Sequence, residues 1–178
     1  PSTRSSIGPL LGSSTTALIA TQLDKGKVLV VFVPNSSDAQ ILERELPLFM
    51  GKSLSVLTLP DWETLPYDHF SPHHDIVSKR LKIFLELPRL SEGIVIVPIT
   101  TAMQRTPPVH YVAGNSIDLS IGDKFDSDVF THNLTLNGYR SVDTVLEHGE
   151  FAVRGALLDV FPMGSPLPYR IDLLDDEV

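Results

Sequence analysis

The chain has no cysteine. Disulfides, thiolate zinc sites and cysteine nucleophiles are therefore excluded, and the composition fits a cytoplasmic setting. Long apolar runs are also missing. The longest, Val28 to Val33, is far too short to span a bilayer. The N-terminus lacks a charged-then-apolar targeting pattern. Basic residues are scarce: 14 Lys and Arg stand against 22 Asp and Glu, a formal net charge of −8. Neutralising phosphates needs clustered Lys and Arg, so the chain is a poor stand-alone nucleic-acid binder. A protein or cationic partner is the easier inference.

What is present is a globular composition. Hydrophobic residues make up 42% and charged residues 20% of 178 positions, enough for one large domain or two small ones. A Gly/Ser turn at Gly12 to Thr16, with Ser13 to Thr15 as cap candidates, precedes an Ala/Leu-rich helix start. Val28 to Val33 reads as a strand buried on both faces, as in a parallel sheet. Ser37 and Gln40 suggest a capping box for a helix whose Leu42, Leu46 and Phe49 share a face. Ser53 to Leu59 is a second strand, Asp75 to Leu87 a helix with Val77, Leu81, Phe84 and Leu85 at helical spacing, Ile94 to Val97 a third strand and Thr100 to Arg105 a short helix. Strand and helix alternate as in a doubly wound α/β layer. Past Pro107-Pro108 the character changes to α+β: an alternating stretch from Ile117 to Ile121, a helix from Ser127 to Leu136, then a hairpin. The reading is two domains, 1–112 and 113–178. The acidic ending, Asp175 to Val178, lacks a terminating signal and suggests a piece of a longer protein.

The hairpin organises the second half. Phe151 to Phe161 and Leu167 to Leu174 alternate with period two and are joined by Pro162-Met163-Gly164-Ser165-Pro166. Arg154 and Arg170 fall one on each arm. A guanidinium on a sheet face can grip a carboxylate or phosphate with two bonds. It can equally pair with an aspartate of its own hairpin, and composition alone favours that simpler reading.

Two further places could carry chemistry. A phosphate-binding loop needs G-x-x-x-x-G-K-[ST], but Gly12 is followed by no second glycine, and Leu18 stands where the lysine would be. A capped helix start is the better reading, with no nucleotide bound. Asp68-His69-Phe70-Ser71-Pro72-His73-His74-Asp75 is rich in metal-ligand types, but Pro72 keeps His69 and His73 from sharing a helical face. A polar loop capping the next helix is expected there, without a metal. Glu147-His148-Gly149-Glu150 is acid-base capable but has no nucleophile beside it, so a connecting loop is expected.

Several ordered strings together carry a resemblance. They are Leu59-Pro60-Asp61-Trp62-Glu63-Thr64-Leu65-Pro66-Tyr67-Asp68, Phe70-Ser71-Pro72-His73, Glu147-His148-Gly149-Glu150, Arg154-Gly155-Ala156-Leu157-Leu158-Asp159, Phe161-Pro162-Met163-Gly164 and Pro168-Tyr169-Arg170-Ile171-Asp172. From Gly12 on, the chain closely resembles the N-terminal part of the bacterial transcription-repair coupling factors, the Mfd proteins. The related excision-repair protein UvrB is the competing match. The resemblance implies a degenerate helicase-like (RecA-like) parallel-sheet domain and a small domain that binds the repair protein UvrA. It also implies an ATP-dependent DNA translocase, using ATP and Mg, that acts on stalled RNA polymerase through domains outside this chain. Masking of the UvrA surface in the whole protein is implied as well. The degenerate Gly12 loop, and a Tyr67–Ile76 passage too short for UvrB's DNA-gripping hairpin, agree with a coupling-factor chain. Carried over by motif, Arg154 and Arg170 become UvrA-contact candidates. So does Leu174, which stands where other members carry phenylalanine. A UvrB-like, nucleotide-dependent repair helicase is the alternative.

Overall fold

A computed structural model describes residues 5–51, 54–65 and 68–173. It contains six α-helices and seven strands in a mixed α/β arrangement with two separate sheets among the described residues. Two compact units emerge, and they are interleaved along the chain. One comprises Pro1–Asp61 and Arg89–Arg105, the other Trp62–Pro88 and Thr106–Val178. Residues 62–88, which sequence places with the first domain, therefore pack with the second unit.

The first unit is built on β1 (Val28–Val33), β2 (Ser55–Thr58) and β3 (Gly93–Pro98), all parallel, in the order β1-β3-β2. Helices α1 (Ser14–Gln22), α2 (Ser36–Met50) and α4 (Ile99–Ala102) complete it. Its core joins Val33, Ala39, Leu42, Leu46, Ile94 and Ile96. The strand buried at every position is β3, the central one. The expectation that Val28–Val33 is buried on both faces is corrected. That strand lies at the sheet's edge, Leu29, Val31 and Val33 face the core, and Phe32 is 61% exposed. An unbroken β-branched run reports strand propensity without reporting position in the sheet. The cap of α2 is Asn35, whose Oδ1 accepts from the Asp38 amide at 2.9 Å, rather than Ser37. Gly93 opens β3 against Ser55, and a Cβ there would lie 2.6 Å from the Ser55 carbonyl oxygen.

The second unit contains α3 (His74–Glu86), α5 (Val109–Gly114) and α6 (Ser127–Leu136) around a four-stranded sheet. Its strands are β4 (Arg140–Ser141), β5 (Glu150–Arg154), β6 (Leu157–Phe161) and β7 (Tyr169–Asp172), adjacent in chain order. The two-armed hairpin expected from sequence is corrected to a three-stranded antiparallel meander. Gly155, at φ 62°, turns the first arm back on itself between β5 and β6. The alternating stretch from Ile117 to Ile121 forms no strand, and Ile121 is 96% exposed. Phe125, Leu134, Phe151, Leu158, Val160 and Ile171 form the core. Arg80 on α3 is buried with its guanidinium 4.1 Å from the Trp62 ring centroid, a cation–π contact that anchors the Trp62 segment. No helix among the described residues is long and apolar enough to cross a membrane.

Candidate functional site

The meander's register sorts its side chains. Phe151↔Val160 and Leu158↔Ile171 face the core, so the residues between them face outward. On the side of the sheet away from that core, one row is Ala152, Asp159 and Arg170, with Ala152 covered, and the next is Arg154, Leu157 and Asp172. The turn at Gly155 thus puts both arginines on one face, with β6 between them. Arg170 donates from Nε to Asp159 Oδ1 at 2.6 Å and from Nη2 to Oδ2 at 2.8 Å, a two-bond pair. The hydrogen bonding from Arg170, with the charges of Arg170 and Arg154, holds the Asp159 carboxyl below its usual range. The same pairing raises Arg170. The Arg170 side chain remains 59% exposed while Asp159 is nearly covered. The pair is therefore a guanidinium presented outward on a carboxylate base. Arg154 Nη2 donates to the Asp143 carbonyl at 2.6 Å, which fixes it across the segment between β4 and β5. Leu174 lies outside the described residues.

That segment is itself anchored by Glu150. Its Oε2 accepts the amides of Leu146 and Glu147, both at 2.9 Å, and its Oε1 accepts from Arg140 at 3.0 Å. The two amides, then the Arg140 and His74 charges, hold the Glu150 carboxyl below its usual range.

At the Gly12 loop, Ser13 Oγ donates to Glu45 Oε1 at 2.9 Å and Thr16 Oγ1 to Glu45 Oε2 at 2.5 Å. Both hydroxyls at the start of α1 are committed to a carboxylate of α2. These hydrogen bonds, from Thr16 first, hold Glu45 below its usual range.

The histidine-rich loop contributes its end rather than its middle. His73 caps α3, its Nδ1 accepting from the Asp75 amide at 3.3 Å. No group of three or more metal-ligating side chains occurs among the described residues. Sequence reasoning missed a different grouping. His74 Nδ1 donates to the His148 carbonyl at 3.0 Å, and His148 lies 2.9 Å from Asp75 at the edge of an open cleft of about 470 Å³. The acid-base character of Glu147-His148 was visible in the sequence. Its partner, 73 positions away, was not.

Residues 117–178 match the UvrB interaction domain. The chain is 44% identical over 97% of its length to the transcription-repair-coupling factor of Escherichia coli K12. It is 44% identical over 95% to that of Haemophilus influenzae, and 30% over 93% to that of Mycobacterium tuberculosis. It spans about 15% of the length of these curated relatives.

Proposed function

Because the chain belongs, as a segment, to the transcription-repair-coupling factor family, we propose that it is a non-catalytic recruitment module for the excision-repair protein UvrA. Its docking surface is the outward face of β5, β6 and β7. The observation that carries this reading is that Arg154 and Arg170, both exposed, lie on one side of the sheet, with Arg170 raised on Asp159. An arginine so fixed has lost part of its rotational freedom before binding, which lowers the cost of association. Leu174, two positions beyond the Pro168–Asp172 string, belongs to the proposed contact. In this reading the first unit is a degenerate helicase-like (RecA-like) layer. The module works in the cytoplasm and brings UvrA to stalled RNA polymerase, while the polymerase, the DNA, ATP and Mg engage other parts of the full-length translocase.

Titration calorimetry of the chain against UvrA tests the proposal. The parent binds, and Arg154→Glu and Arg170→Met each weaken binding at least about tenfold. Methionine at 170 avoids setting a glutamate opposite Asp159. Unchanged affinity in both variants overturns the reading. The alternative, a nucleotide-dependent helicase fragment, is disfavoured by Leu18 in the lysine's place and by the commitment of Ser13 and Thr16 to Glu45. ATP hydrolysis by the purified chain, lost on altering the Gly12 loop, would favour it.

A further inference from the structure

The loop between β6 and β7 leads directly into the strand that carries Arg170. Three side chains from three places in the second unit hold it. The Met163 amide donates to the Tyr139 hydroxyl at 2.9 Å, and the Gly164 amide to Ser78 Oγ on α3 at 2.8 Å. The Ser165 carbonyl lies 2.8 Å from His148 Nε2. The other ring nitrogen of His148, Nδ1, lies 2.9 Å from Asp75 Oδ1 on α3.

Both nitrogens of His148 therefore face acceptors that cannot donate. A neutral imidazole carries one N–H, so one of the two contacts would set lone pair against lone pair. The imidazolium carries two and satisfies both. The Phe161 ring lies at 4.0 Å between centroids, tilted by 36°, where an aromatic face favours a cation. We propose that His148 is a protonation-dependent latch: the doubly protonated ring ties the β6–β7 loop to α3, and loss of one proton releases the loop. Bonds to a charged acceptor are the stronger ones. Asp75 therefore retains the Nδ1 proton, and the Nε2 contact to Ser165 is the one that opens.

The charged surroundings are mixed. Asp75, His74, Lys79 and Lys82 come from α3, His73 from its cap, and Glu147 from the ring's own turn. Glu150 on β5 spends its carboxylate on Arg140 and the amides of Leu146 and Glu147. Phe161 and the loop residues bring no charge. Of the other two ties, the Ser78 hydroxyl does not titrate, and burial pushes the Tyr139 phenol above its ordinary value, so it keeps its proton. Of the three ties, the one through His148 is the one whose donor count changes with protonation.

The test needs no binding partner, so its failure is separate from any failure of UvrA binding. Nitrogen NMR of the histidine rings of the 178-residue chain follows His148 between about pH 5 and pH 8.5. Amide exchange, expressed as protection factors, is measured alongside it. As the His148 Nε2 proton is lost, protection at Gly164 falls about tenfold while Leu158, in the sheet's core, keeps its own. His148→Gln leaves Gly164 weakly protected at every pH. Three results each overturn the latch: equal Gly164 protection on both sides of the titration, a pH dependence that survives His148→Gln, or a parallel loss at Leu158.

Discussion

Removing the Glu150 carboxylate tests how the outward face is supported. The side chain is 10% exposed and serves three donors. In Glu150→Ala the amides of Leu146 and Glu147 lose a charged acceptor in a partly buried place, at about 1–1.5 kcal/mol each. The Arg140 contact is more exposed and adds less than about 1 kcal/mol. The expected loss is about 3 kcal/mol. Glu150→Gln separates geometry from charge. One oxygen, Oε2, accepts both amides, so a glutamine oxygen placed there keeps both bonds, while its NH2 group meets Arg140. The expected loss is about half, roughly 1.5 kcal/mol. Trp62 is the chain's one tryptophan and lies in the second unit, so its fluorescence during urea unfolding reports this unit. The pH dependence has a definite sign. A carboxyl held below its ordinary value stabilises fully above that value, about 4.3, and loses its contribution as pH falls through the folded value. The gap between parent and Glu150→Gln should therefore close in acid. The reasoning is refuted if both variants unfold within about 0.5 kcal/mol of the parent at pH 7. It is equally refuted if the glutamine gap persists unchanged in acid.

Two further expectations concern the first unit. Gly93→Ala sets a Cβ against the Ser55 carbonyl, backbone against backbone, and should cost about 2–4 kcal/mol. Amide exchange at Ile94 and Ile96 would show the strand loosening, and unchanged protection there would refute the clash. Glu45→Gln should lower amide protection along α1. In the parent, the tie to Ser13 and Thr16 is complete above the ordinary carboxylate value and weakens as pH falls through the lowered folded value. The glutamine variant should lack that acid response, and a response retained in it would show that another group is responsible.

What could be read from the sequence followed the range of each signal. Helical spacing at Val77, Leu81, Phe84 and Leu85 located α3, and Ser127–Leu136 appeared at its stated bounds, because those patterns are local. The alternation around Leu158 and Ile171 located β6 and β7 for the same reason. The break at Gly155 escaped because the alternation was read straight through it, although glycine at positive φ is what lets β5 fold onto β6. The Arg170–Asp159 pair, 11 positions apart, was a foreseeable alternative once antiparallel strands were read there. His148–Asp75 was not, since no local pattern encodes a contact across 73 residues. Nor does local pattern reveal that α3 belongs with the later sheet, because its apolar spacing states that it packs without stating against what.

The interleaving of the two units bears on how the chain is made. Val28 of the edge strand pairs with Gly93 of the central one, and β2 also waits for that strand. At a synthesis rate of about 5–20 residues per second, the ~65 residues between Val28 and Gly93 take several seconds to emerge. For that interval β1 has no neighbour for its backbone, and Val30 and Phe32 add an apolar face that stays uncovered in the finished unit. The edge strand is thus made well before the strand that secures it. Holding chaperones would meet this protein early, at β1, rather than at its arginine-bearing sheet.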